Sequence, residues 1–250
     1  DPYRPLPRDV VALRRGLREI AGSGEKERKE MSEIDRTVRA LVASLDTAPL
    51  PASGERLSPI LSVLKVLLSL DRRKPGYVEE RITRLQSPDP GYGTLAAVRD
   101  YAALLTPENF FLTDVRDEGR RAGLLLPLLD TLIDGMRDVS GASEAERAEA
   151  WATAARPSDW SFGPFRGLGL RGFQQLRQLF GASTVLPAGE HAAFVRRAVG
   201  RAVDLPEAVL LLERAARRLG YDLRGISKED WTRMAGDETR TGGAGRGGDG

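Results

Sequence analysis

Residues 164–200, PFRGLGLRGFQQLRQLFGASTVLPAGEHAAFVRRAVG, constrain the fold more than any other stretch of the chain. Two glycines enclose a leucine at Gly167-Leu168-Gly169. An apolar stripe follows at once, with Phe173, Leu176, Leu179 and Phe180 at three- and four-residue steps. Glycine tolerates the backbone of a tight turn, and the stripe has the period of an α-helix. A turn that opens straight into a helix leaves main-chain N–H groups without intrahelical partners, at the positive end of the helix dipole. That geometry suits a phosphate. Arg166, Arg171 and Arg177 flank the turn, and together these features have the chemistry of a clamp on a nucleic-acid backbone.

The rest of the chain carries the same helical period. No stretch sustains an alternation of apolar and polar residues, so the expected fold class is all-α. Residues 8–20 and 25–45 read as two helices separated by Gly22-Ser23-Gly24, an N-terminal helical extension over residues 1–46 that is expected to pack on the main body rather than to serve as a docking arm for a partner. Residues 47–54 are a loop by composition. Ser58 then caps a helix with Pro59 at its first position, and residues 60–70 are apolar nearly all round, as in a central buried helix. It ends at Asp71-Arg72-Arg73-Lys74, a basic run that complements a helix C-terminus and is also suited to phosphate.

Short helices are expected at residues 77–85 and 94–105, and another after Thr106-Pro107. The last carries Phe110 and Phe111, which read as core rather than as a stacking platform. Residues 120–139 form a long helix in which Pro127 should cause a kink. Ser143 and Glu146 make a capping box for a helix that points Trp151 inward. Asp204 and Glu207 start a helix that Gly220 ends. Residues 227–234 form a last helix with Trp231, and residues 236–250 read as a disordered glycine-rich tail.

Lysine and arginine total 38 against 36 acids, a net charge of +2, so bulk charge does not announce a nucleic-acid partner. Distribution matters more. Arg166, Arg171, Arg177, Arg196, Arg197 and Arg201 face a single acid, Glu190, over the intervening sequence. The alternative is an arginine-rich solvated face. The chain has no cysteine, which excludes disulfides, thiolate zinc sites and a cysteine-held iron–sulfur cluster. No signal peptide is visible. The most apolar run is about half of the ~20 residues a membrane-spanning helix needs. The sequence opens on Asp1, and a cytoplasmic location is the default expectation.

Residues 160–200 resemble the helix-hairpin-helix region of the DNA glycosylase superfamily that includes endonuclease III. In that superfamily a Leu-x-Gly-x-Gly hairpin joins two helices and grips one DNA strand. Phe165-Arg166-Gly167-Leu168-Gly169 stands in its place here, with Phe for the usual Leu. The ordered segments LLSLDRR, FQQLRQLFGASTV and DWTRM extend the resemblance over about residues 57–231. It implies a glycosylase-like helical domain over residues 57–235, with the hairpin near 164–181 and two lobes around a cleft. The chain would begin in one lobe, build the other around the hairpin, and return. It further implies DNA as partner, contacted by Arg166, Gly167, Leu168, Gly169, Arg171, Arg177, His191, Arg196 and Arg197. No cofactor is implied beyond a monovalent cation that hairpin carbonyls are able to hold.

The resemblance fails where the chemistry should be. Family members place a catalytic Asp in a segment like Thr-Val-x-Pro-Asp. This chain reads Thr184-Val185-Leu186-Pro187-Ala188, and a one-residue shift offers only Gly189. The lysine that bifunctional members use for a Schiff base is replaced by Arg171, whose guanidinium is no useful nucleophile. Glu190 is the candidate substitute catalyst, and Asp159 is another acid near the hairpin. His191, the only histidine, adjoins Glu190, but neighbours on a helix project about 100° apart and do not converge. His191 therefore reads as a surface or phosphate contact. Three readings follow. The preferred one is a DNA-binding protein on a glycosylase-like scaffold with impaired or lost base excision. The second is an active monofunctional glycosylase using Glu190 or another cleft acid. The third is a helical interaction protein without a nucleic-acid role.

Overall fold

The computed structural model describes residues 8–45, 48–49, 57–70, 75–85, 93–104 and 119–236, with backbone alone at 8–23, 75, 81, 84–85 and 119–122. All regular structure among them is helical. In chain order the helices are α1 (Arg8–Ser44), α2 (Pro59–Ser69), α3 (Pro75–Leu85), α4 (Leu95–Leu104), α5 (Gly119–Met136) and α6 (Glu144–Ala154). A 3₁₀ turn, Pro157–Ser161, leads into α7 (Phe165–Leu179) and α8 (Gly189–Val199). Helix α9 (Leu205–Leu219), a short 3₁₀ turn at Leu223–Gly225 and α10 (Lys228–Ala235) complete the set.

These helices build two hydrophobic cores. The first surrounds α2, whose Ile60, Val63, Leu64, Val66 and Leu67 are sealed from solvent, and draws on α3 to α7. The second is formed by α1, α8, α9 and α10, through residues such as Leu41, Phe194, Leu212 and Trp231. The chain thus starts against the second core, builds the first, and returns. No described helix is long and apolar enough to cross a membrane.

Local signals explain the helix starts. The Ser58 hydroxyl accepts from the Leu61 N–H at 3.4 Å, with Pro59 supplying the first helical φ. Ser143 accepts from the Glu146 N–H at 3.2 Å while the Glu146 carboxylate takes the Ala142 N–H at 2.7 Å. Asp204 caps α9 by accepting from the Glu207 N–H at 2.8 Å, and Gly220 ends it in the left-handed conformation. Helix α5 runs on either side of Pro127, which lies on its exposed face; the Pro127 carbonyl accepts from the Thr131 hydroxyl at 2.8 Å.

The N-terminal region corrects the sequence reading once. Arg8–Ser44 is one helix that passes through Gly22-Ser23-Gly24 without a break. Glycine inside a helix costs about 1 kcal/mol, which weakens a helix without forbidding it. The helix packs on the main body, the arrangement preferred from the sequence over a docking arm. Ile34 and Leu41 belong to the second core, and Arg36 donates to the Val199 carbonyl at 2.7 Å. Arg201 clasps Glu33 through two hydrogen bonds of 2.8 and 2.7 Å, and holds that carboxyl below the usual range. The Asp71-Arg72-Arg73-Lys74 run, Phe110, Phe111 and tail residues 237–250 lie outside the described residues.

Candidate nucleic-acid interface

The tight turn expected from the glycines is present as a break inside α7. Residues 165–168 make one helical turn, Gly169 takes φ 68° and ψ 170°, and the helix resumes from 170. That backbone region is essentially restricted to glycine. A β-carbon at Gly169 would meet nothing within 4 Å, so the requirement is conformational and the space above it is open. Gly167 is small for a different reason: a β-carbon there would collide with the Leu124 side chain of α5. Phe165 and Leu168 turn inward to the first core, where Phe165 lies 5.6 Å from the Trp151 ring and 5.0 Å from Phe173. Leu168 thus offers a ligand its backbone and the small part of its side chain that walls the adjoining cleft. Before the break, the Arg166 and Gly167 N–H groups donate to Gly163 and Pro164 carbonyls at 3.4 and 3.0 Å.

Arg166 and Arg171 flank this turn, both exposed and neither in an ion pair among the described residues. Arg171 and Leu186 stand between two clefts. One, of about 550 Å³, has an apolar wall of Val66, Leu70, Val78 and Leu168, with the Lys65–Glu79 ion pair (2.7 Å) at its side. The other, of about 420 Å³, is lined by Ala188, Glu190, His191, Arg224, Lys228 and Trp231. The structure thus gathers Arg171, Ala188, Glu190 and His191 at one opening.

Two of the expected DNA contacts are buried, and a third touches a neighbouring helix. Arg177 is 1% exposed. Its guanidinium donates to both Glu213 carboxylate oxygens at 2.7 and 3.1 Å, to the Ala152 carbonyl at 2.9 Å and to Gln174 Oε1 at 2.8 Å. The Thr184 hydroxyl donates into the same knot, 2.5 Å from Glu213 and 3.0 Å from Gln174. This network ties α7 to α9 where the two cores meet, so Arg177 is no surface clamp. The cause is its helical position, one turn after Phe173 and beside Leu176 and Phe180 on the buried stripe. Gln174 Nε2 has no protein partner within the knot.

His191 is also buried rather than presented to phosphate. Its Nδ1 accepts from the Ala188 N–H at 3.1 Å, capping α8, and its ring meets Trp231 edge-on at 4.7 Å. Accepting at Nδ1 places the proton of the neutral ring on Nε2. Burial holds its pKa below the ordinary histidine value, outweighing the pull of the Glu190 charge. Arg197, itself exposed, donates to the Met234 carbonyl of α10. Arg196 remains exposed in the last turn of α8.

Glu190 is half-buried in the first turn of α8 and lines the second cleft, with Ala188 at the N-cap beside it. Asp159 is committed to the 3₁₀ turn, where its carboxylate accepts from the Arg156 N–H at 2.7 Å. Among the described residues no group of three His, Asp or Glu side chains is placed to hold a metal ion, so a cation at the hairpin would depend on main-chain carbonyls. The sequence reading missed Gln174, Thr184 and Glu213 as partners of Arg177, and Arg224 and Lys228 as cleft residues. A signal existed for Glu213: it falls on the stripe formed by Val209, Leu212 and Ala216, all buried. No known protein family, curated protein or solved structure matches the chain.

Proposed function

We propose that this protein binds DNA through the hairpin, on a two-lobed scaffold like that of the helix-hairpin-helix glycosylases, with base excision impaired or lost. One observation carries the reading. Gly169 holds a glycine-only backbone at the start of a helix, with open space above it and exposed Arg166 and Arg171 on either side. Main-chain amides and the helix dipole supply a site for one phosphate, and the two guanidinium groups supply charge for its neighbours. The two cores, with clefts meeting at Arg171, fit the two-lobed arrangement. The alanine methyl of Ala188 is unable to stabilise a sugar cation or activate water, which is why excision is expected to be weak or absent.

The test is a titration of labelled duplex DNA at rising salt. Binding should weaken steeply as salt rises. It should also weaken in Arg166→Ala, Arg171→Ala and Gly169→Val variants. Equal binding by all of these would remove the hairpin from the interface. A second reading, an active monofunctional glycosylase, is favoured by Glu190, which lines the cleft that Arg171 borders. It requires release of free base from modified duplexes by the wild type and not by Glu190→Gln.

A further inference from the structure

Phe162 is the most exposed aromatic residue among the described residues. Trp151, Trp160, Phe165 and Phe173 all pack into the first core. Phe162 lies between Trp160 and Phe165 in sequence, yet it is 67% exposed. A single exposed apolar side chain is ordinary on a protein surface. Phe162 differs in how firmly it is held and in what stands beside it. Its N–H donates to the Asp159 carbonyl at 3.1 Å, and Asp159 caps the turn from below. The Ser161 hydroxyl donates to the Ser158 carbonyl at 3.0 Å. Gly163 (φ 51°) and Pro164 then carry the chain directly into the hairpin, where the Gly163 carbonyl accepts from Arg166. A ring on a fixed turn therefore precedes an exposed guanidinium and the open glycine by a few residues.

We infer that Phe162 is a stacking platform for an unstacked base of the strand that the hairpin grips, so that single-stranded or locally melted DNA is preferred over intact duplex. The inference rests on the DNA-binding reading above. The faces of bases in an intact duplex are already covered by their neighbours, whereas a single strand presents them. Base–aromatic stacking tolerates any sequence because every base has a π-face. A rigid turn loses little conformational freedom on binding, which favours stacking over a disordered alternative. Stacking also carries no charge, so its contribution is separable from that of the arginines.

The experiment is fluorescence anisotropy with one labelled mixed-sequence oligonucleotide, used alone and annealed to its complement, against the full chain. Phe162→Ala should weaken single-strand binding about 5-fold or more and leave duplex binding within about 2-fold of wild type, since stacking acts on exposed bases. Phe162→Trp should restore the single-strand affinity. The dependence on salt should be unchanged by either substitution, while Arg166→Ala and Arg171→Ala should flatten it on both probes. Unaltered thermal melting of Phe162→Ala would confirm that a solvent-facing ring has been removed without loss of fold. Equal single-strand affinity of Phe162→Ala and wild type, with the arginine variants impaired, would overturn the inference and leave the hairpin reading standing. Equal loss on both probes would also overturn it. Failure of the wild type to bind either probe would overturn both readings together.

Discussion

The two ends of α7 use the same chemistry to opposite ends. At the start, Arg166 and Arg171 stand exposed around a glycine-only backbone and an open space. Two turns further on, Arg177 is sealed in a knot with Glu213, Gln174, Thr184 and the Ala152 carbonyl. One end is poised to meet something outside, and the other holds the two cores in register. The comparison teaches that an arginine beside a phosphate-like turn is assigned by its helical phase, not by its distance along the chain. Arg171 lies two residues before Phe173, off the buried stripe; Arg177 lies four after it, on the stripe.

The largest effect should come from breaking the buried end. Arg177→Ala leaves Glu213 without its counter-charge in the interior, which costs about 3–5 kcal/mol, measurable by urea unfolding. Replacing the pair together, Arg177→Met with Glu213→Leu, should recover most of that loss because no charge is then stranded. DNA affinity per folded molecule should be unaltered in both. A small stability change combined with a binding defect like that of Arg171→Ala would erase the distinction between the two ends.

The glycines of the hairpin come next. Gly169→Ala forces an L-residue into a glycine-only conformation and should destabilise by about 1–3 kcal/mol. Gly167→Ala should cost a similar amount, about 1–3 kcal/mol, by overpacking against Leu124. The two causes are separable. Adding Leu124→Ala should relieve Gly167→Ala, because room has been made, and should do nothing for Gly169→Ala, whose difficulty is its own backbone. Relief of both would mean that Gly169 is confined by packing and that the hairpin is not open.

Arg171→Ala should act in the reverse sense to Arg177→Ala. With an exposed side chain outside any ion pair among the described residues, its loss should change stability by no more than about 0.5 kcal/mol. It should reduce the slope of log affinity against log salt by about 1, as expected for one lost phosphate contact.

Much of this organisation was legible in the sequence, and what was missed has physical causes. The helical period, the caps at Ser58, Ser143 and Asp204, and the break at Gly167-Leu168-Gly169 are local signals, readable from residues a few positions apart. The unbroken passage of α1 through Gly22-Ser23-Gly24 was not readable, because glycine lowers helix propensity by an amount that packing elsewhere in the helix is able to offset. The role of Arg177 required its partner. Glu213 lies 36 residues away, and only the joint observation of two charged residues on two apolar stripes would have matched them. His191 was misjudged because a histidine three residues into a helix was weighed as a ligand for something outside, when its ring nitrogen was able to cap its own helix.

His191 lies between the two kinds of site, since it lines the second cleft and is nonetheless buried, and its titration gives the smallest but most direct test. Burial depresses its pKa in the folded chain below the ordinary 6.5. Between these two values the unfolded chain binds a proton that the folded chain does not. Stability from this group is therefore fully present above the unfolded pKa and is lost as pH falls from there through the folded value. Protonation also removes the Nδ1 lone pair that accepts from Ala188. The chain has one histidine, so a single imidazole resonance followed by NMR reports it without ambiguity. The expected midpoint lies below 6.5, with the unfolding midpoint in urea falling over the same interval in wild type and flattened in His191→Gln. A midpoint at or above 6.5 would place the ring in contact with solvent or an acid, and would return His191 to the outward-facing group with Arg166 and Arg171.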